Sequence, residues 1–206
     1  SLDGGLNGVE VEEIIVEGGT LTIASDNTVQ FINVAFTVVS GAAVVFDMPG
    51  TEFGPNSGST EDYPSGQLMD VEEGASVTFN GDYVAQSVDN VDILIRNAGS
   101  MEFKETAYFA YNINALPDNT GTIKFRGDTT FKGHDGIALE NTSGGFVRFS
   151  ETATFEDNGD DLDGFSGCDI INSGSSKVIF RGDVTFSNTN CRSAEGTSVF
   201  NSGTMK

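Results

Sequence analysis

The stretch Asn119-Thr-Gly-Thr-Ile-Lys-Phe125-Arg-Gly-Asp-Thr-Thr-Phe131 carries the pattern from which the architecture follows. It opens on Asn and Gly, alternates apolar with polar residues as far as Phe125, passes through a polar bend and meets a second Phe six positions later. Alternation of β-branched and aromatic residues with polar ones, cut every few positions by Gly or Asn, is the pattern of short strands and tight turns. Outward from this stretch, the same spacing recurs at Phe103 and Phe109, Phe149 and Phe155, and Phe180 and Phe186; successive pairs begin 22, 24 and 31 residues apart. Phe79 precedes Phe103 by 24 residues in the related stretch Gly74-Ala-Ser-Val-Thr-Phe79. Each pair follows an Asn and a Gly, in Asn97-Ala-Gly, Asn119-Thr-Gly, Asn141-Thr-Ser-Gly and Asn172-Ser-Gly, and Asn201-Ser-Gly opens a further unit. A short apolar segment comes before the Asn, as in Ile93-Leu-Ile95 and Ile137-Ala-Leu139.

No stretch keeps a 3.6-residue apolar stripe for three turns, so helices are not expected. Three short strands and three bends in 22 to 24 residues make one coil of a solenoid, and longer spacings mark loops inserted into a coil. Stacking coils about 4.8 Å apart sets each Phe above its counterpart and lines up the Asn residues as a hydrogen-bonded ladder at one corner. The expected fold class is all-β, a parallel β-helix, in preference to a sandwich or barrel of short strands. One domain is expected over 1–206, with regular coils in 70–206 and irregular ones in 1–69. In the irregular part, Gly19-Thr-Leu-Thr-Ile23, Val29-Gln-Phe31 and Gly41-Ala-Ala-Val-Val-Phe46 are the coil segments.

On these residues the chain resembles right-handed parallel β-helices of pectin-lyase-like topology, over about 70–206 and less fully over 1–69. It is also similar to the passengers of polymorphic outer-membrane proteins, whose repeats carry Gly-Gly-Ala-Ile and Phe-x-x-Asn. Phe155-Glu-Asp-Asn158 matches the second motif, and Gly136-Ile-Ala-Leu and Gly41-Ala-Ala-Val approximate the first. The pectin-lyase-like resemblance implies polysaccharide cleavage as one function class to weigh. A lyase needs a basic residue that removes a proton beside a carboxylate, usually with Ca²⁺, and a hydrolase needs two placed carboxylates. Asp160-Asp161 and His134 resemble the Asp pair and the Gly-His-Gly of polygalacturonase-like hydrolases. Yet His134 precedes the pair instead of following it, stands in Gly-His-Asp-Gly, and has no Asn-Thr-Asp or Arg-Ile-Lys segment in company. The cations Lys104, Lys124, Arg126, Arg148 and Arg181 instead occupy repeat positions beside Phe, where pairing between coils with Asp128, Glu151 and Asp183 is expected. No catalytic residue is assigned, because a fold does not by itself confer an activity.

The formal net charge is −21. Phosphate backbones and anionic lipid repel such a chain, so nucleic acid and peripheral membrane are poor partners, and no run of about 18 apolar residues spans a bilayer. Sixteen Phe and a hydrophobic fraction of 37% are more than a disordered acidic tail carries. The charge is uneven: residues 1–95 hold sixteen carboxylates and no Lys or Arg, whereas the remainder holds fifteen carboxylates and all ten cations. That asymmetry points to an acidic interaction surface for basic or mixed protein subunits, with solubility as the competing reading. Ser1-Leu-Asp-Gly-Gly has no Met, charged segment or apolar segment, so a removed leader or a longer chain is expected, and extracellular surface and organelle assembly both stay open.

Several segments invite chemistry. The acidic run with Asp157, Asp160, Asp161 and Asp163 offers oxygen ligands of the kind Ca²⁺ takes, or else is a solvated loop lengthening one coil. Beyond Ca²⁺ no cofactor is expected. Two Arg-Gly-Asp tripeptides, at Arg126 to Asp128 and Arg181 to Asp183, fall at the repeat's bend and are ordinary turn chemistry. Cys168 and Cys191 stand 23 residues apart, near one coil period, which allows a disulfide or two free thiols. Asn141-Thr-Ser143 is a glycosylation sequon at a corner Asn. Residues 48–67 carry three of the four Pro and interrupt the coils, so they should project as a loop; Glu52, Phe53, Glu61, Asp62 and Tyr63 are its partner-binding candidates. The expected function is a non-catalytic scaffold or linker that docks other proteins in a larger assembly. A surface adhesin or passenger domain and a Ca²⁺-assisted polysaccharide lyase or hydrolase are the alternatives.

Overall fold

The computed structural model describes residues 2–3, 12–54, 67–88, 93–111, 116–134, 136–158, 169–187 and 199–206. In chain order the strands are β1 (Leu2–Asp3), β2 (Glu12–Val16), β3 (Gly19–Ala24), β4 (Val29–Ile32), β5 (Val34–Val38), β6 (Ala42–Asp47), β7 (Gly50–Phe53) and β8 (Gln67–Val71). They continue with β9 (Ser76–Phe79), β10 (Asp82–Gln86), β11 (Ile93–Asn97), β12 (Ser100–Phe103), β13 (Ala107–Ala110), β14 (Leu116–Asn119), β15 (Thr122–Phe125) and β16 (Thr129–Lys132). The last eight are β17 (Leu139–Asn141), β18 (Phe146–Phe149), β19 (Ala153–Glu156), β20 (Ile170–Asn172), β21 (Lys177–Phe180), β22 (Val184–Ser187), β23 (Val199–Asn201) and β24 (Thr204–Met205).

Every third strand falls in the same sheet. Sheet A runs β1-β4-β7 and on to β22, sheet B runs β2-β5-β8 to β23, and sheet C runs β3-β6-β9 to β24. All pairings are parallel, so each coil visits the sheets in the order A, B, C, and the chain is the expected parallel β-helix.

The first Phe of each repeat lies in sheet C and the second in sheet A. Phe46, Phe79, Phe103, Phe125, Phe149 and Phe180 stack at centroid distances of 4.7 to 5.0 Å with planes 5 to 14° apart. In sheet A, Phe31 and Phe53 stack at 5.1 Å, and Phe109, Phe131, Phe155 and Phe186 continue at 4.8 to 5.1 Å. Between them the register position belongs to Ala85, opposite Phe53 and Phe109. Tyr83, two residues earlier and also inward, supplies the missing ring and lies 5.0 Å from both Phe103 and Phe109.

The corner Asn residues form the ladder. Asn97 Nδ2 donates to Asn119 Oδ1 at 2.8 Å, Asn119 to Asn141 at 2.7 Å, Asn141 to Asn172 at 2.9 Å and Asn172 to Asn201 at 2.6 Å. In the three coils before Asn97 the same inward register holds Val16, Val38 and Val71. The early coils therefore pair as regularly as the later ones, with an apolar residue in place of the ladder. Asn141 is fully buried and spends its amide on the ladder, so the sequon is structural.

Residues 48–67 do not form one projecting loop. Met48 and Pro49 make a two-residue bend, β7 follows at Gly50–Phe53, and Phe53 is 1% exposed inside the core. The reason is periodicity: Phe53 stands one coil after Phe31 and stacks on it. Pro49 belongs to that bend, and the connection to sheet B starts only at Gly54.

Candidate functional site

Turns differ sharply among the three corners. Connections from sheet B to C and from sheet C to A have two to four residues in every coil. Connections from sheet A to B range from the single Asn33 to the thirteen residues of 54–66 and 157–169. The connections of five or more residues, 4–11, 54–66, 87–92, 111–115, 133–138, 157–169 and 188–198, thus all join sheet A to sheet B, at one corner. The take-off is conformationally uniform. Ser87, Tyr111, Gly133 and Asp157, each one residue past a sheet A strand, have φ of 51, 54, 62 and 55°, and Asn33 has 54°. Left-handed backbone turns the chain out of the sheet, at a cost that Asn, Asp and Gly bear most easily.

Below this corner lies a buried polar staple. Asn158 Oδ1 accepts the His134 backbone N–H at 3.1 Å, while Asn158 Nδ2 donates to Phe131 O at 3.1 Å and to Asp169 Oδ1 at 2.8 Å. His134, Asn158 and Asp169 are each 1% exposed. They tie the end of one sheet A strand to the next and to the entrance of β20. Asn158 is the last residue of the Phe155-Glu-Asp-Asn158 motif, which here serves to satisfy backbone at the corner; Asp169 carries no sequence signal of its own.

Glu52 is half-buried on the outer side of β7. Phe53 is core and offers nothing to a partner. Asp157 sits at the left-handed take-off, whereas Glu61, Asp62, Tyr63, Asp160, Asp161, Asp163, Cys168 and Cys191 lie outside the described residues. Among the described residues no group of three His, Cys, Asp or Glu is arranged to hold a metal ion.

Coil-to-coil ion pairs exist, with other partners than expected. Arg126 Nε meets Glu102 Oε1 at 2.7 Å, Lys132 meets Glu156 at 3.3 Å, and Arg96 makes a two-pronged contact with Asp70, its Nε 3.0 Å from Oδ1. The bend carboxylates turn to backbone instead: Asp82 accepts the Thr106 N–H at 3.2 Å and Asp128 the Thr152 N–H at 3.1 Å. Coils stack with each bend directly over the previous one, so the nearest donor to Asp128 is the next bend's amide. The same stacking explains Arg-Gly-Asp: a Cβ on Gly127 would lie 2.6 Å from the Glu105 carbonyl.

On the outside of sheet B, Arg96 stands in register with Asp70 on one side and Asp118 on the other, and Glu140 lies on the strand after Asp118. Partial burial, and then the Asp118 carboxylate, hold the Glu140 carboxyl above the usual glutamate range. No helix among the described residues is long and apolar enough to cross a membrane. Comparison with protein-family models, curated proteins and solved structures finds no match for this chain.

Proposed function

We propose that this β-helix is a non-catalytic scaffold or linker domain that docks other proteins, with basic or mixed surfaces, inside a larger assembly. The observation that carries the reading is the delivery of every long connection to one corner of a stack whose other corners are trimmed to two to four residues. Loops set on a rigid solenoid present a continuous binding edge, and their sequence can vary without disturbing the core. Carboxylates unaccompanied by cations through residue 95 bias that edge towards basic partners. The resemblances to pectin-lyase-like proteins and to outer-membrane passengers enter the proposal as shared architecture only.

The test is chemical cross-linking of native extracts with a carboxylate-to-amine reagent, followed by sedimentation. The chain should travel with a larger assembly, and its links to partner lysines should concentrate on 54–66, 157–169 and the acidic residues before Arg96. Recovery only as a free 21.7 kDa species would sink the scaffold reading. So would turnover of an acidic polysaccharide lost on Asp160→Ala or Asp161→Ala. Calcium-dependent stabilisation of the chain, lost in the same variants, would add Ca²⁺ as a structural ion.

A further inference from the structure

The outer face of sheet C divides its charge end from end. From β12 to the last residue, outward positions and the bend positions after Phe carry Lys104, Lys124, Arg126, Arg148, Lys177, Arg181 and Lys206, seven of the chain's ten cations. Among the described residues only Arg126 of these has a carboxylate within ion-pair distance, and Arg148 Nε is enclosed without a hydrogen-bond partner. In a chain with 31 carboxylates, six clustered cations lacking partners need an explanation.

The other half of the same face is different. Outward residues of β3, β6 and β9 are Thr20, Thr22, Ala24, Ala43, Val45, Asp47, Ser76 and Thr78, small and β-branched side chains apart from Asp47. Exposed carboxylates frame it on both edges, Glu17, Glu72 and Glu73 in the turns from sheet B and Asp26, Asp47 and Asp82 along the bends to sheet A. No long connection leaves at either edge of this sheet. Beneath the face, neighbouring rings of the Phe column lie within 14° of parallel.

We propose that sheet C is a self-recognition face on which two copies of this chain meet antiparallel, about a two-fold axis passing between β12 and β15. That operator lays the cationic half of each copy on the carboxylate-framed half of the other, twice over, as an isologous contact requires. The face is about 34 Å long for seven strand spacings and about 20 Å wide with its rims, on the order of 700 Å² per copy. A standard interface takes about 800 Å² per partner, so the dimer is one of moderate affinity. At 0.15 M salt the Debye length of about 8 Å is short against the face, so the net charge of each copy is screened while facing charges still act. The exposed carboxylates of Glu105, Asp128, Glu151 and Asp183 line the bends beside the cations. A continuous polyanion laid along the strip would meet them at every bend, whereas the carboxylates of the facing half stand at its rims with Thr, Val and Ser side chains between them.

Sedimentation velocity of the 206-residue chain over a concentration series tests this. In 0.15 M NaCl a concentration-dependent dimer is expected, and in 1 M NaCl it should be lost. The double variants Lys124→Glu/Arg148→Glu and Glu72→Lys/Glu73→Lys should each be monomeric alone, with unchanged circular dichroism because none of the four side chains belongs to the core. Mixed together they should dimerise again, since each reversed half meets its reversed counterpart. A monomer at every concentration in 0.15 M NaCl, a dimer indifferent to the reversals, or no rescue on mixing would overturn the proposal. Retention on a heparin matrix in 0.15 M NaCl without self-association would overturn it in favour of an anionic glycan.

Discussion

Tyr83 shows how a single residue repairs the repeat. Its ring fills the gap left by Ala85, but its hydroxyl is buried with no hydrogen-bond partner, and burial pushes the phenol pKa well up. An unpaired buried hydroxyl costs about 1–3 kcal/mol, so Tyr83→Phe should stabilise the chain by roughly 1 kcal/mol, seen as a higher denaturant midpoint at unchanged slope. A lower midpoint would mean that the hydroxyl has a partner. Glu140 gives the pH counterpart. Because its folded carboxyl titrates above the ordinary glutamate value, the folded chain keeps a proton that the unfolded chain has released. Stability therefore falls as pH rises from the ordinary value through the raised one, and stays lower above it. Glu140→Gln should melt at the wild-type temperature below that window and at a higher temperature at pH 7. Equal melting at both would show that the carboxylate is as well solvated in the fold as out of it.

Among elements, the corner ladder is the most demanding. Asn141→Val leaves Asn119 Nδ2 and Asn172 Oδ1 facing an apolar side chain on either side, for an expected loss of about 2–4 kcal/mol. Asn97 heads the ladder against Val71, and its Oδ1 is already buried without a donor. Asn97→Val should therefore cost clearly less than Asn141→Val under the same chemical denaturation, and equal losses would show that the ladder has no direction. The bends obey steric rather than polar logic. Gly127→Ala should destabilise by about 1–3 kcal/mol through overpacking against the Glu105 carbonyl, whereas a role in adhesion would leave stability untouched and alter only cell attachment.

For the whole molecule, the corner from sheet A to sheet B is where chain can be added or removed. Replacing residues 55–66 by four Gly and Ser residues should leave far-ultraviolet circular dichroism and the melting temperature nearly unchanged, since shortening the connection 2.6-fold alters closure by only about 0.8 kcal/mol. The same number of residues inserted at Gly127 should prevent coil stacking and abolish the cooperative transition. Much of this organisation was legible in the sequence where the repeat is spelled in full. Asn97 to Phe131 shows corner, strand and bend in order, and the Phe columns and the Asn ladder follow from stacking such units. Residues 1–69 were harder to read because Val16 and Val38, like Val71 after them, replace the signalling Asn, and because Pro49 marks a bend as readily as a loop. Periodicity along the chain was thus sufficient to determine the fold, because parallel coils turn sequence spacing directly into vertical stacking. Which residues share a surface was decided only in three dimensions. Lys104 and Lys177 are far apart in sequence, yet one follows and the other opens a strand of the same sheet, and their cations share one face. Likewise Asn158 finds Asp169 across a connection whose length the repeat does not prescribe. Lateral neighbours depend on where each coil closes, and closure is set by packing of the whole stack rather than by any local run of residues.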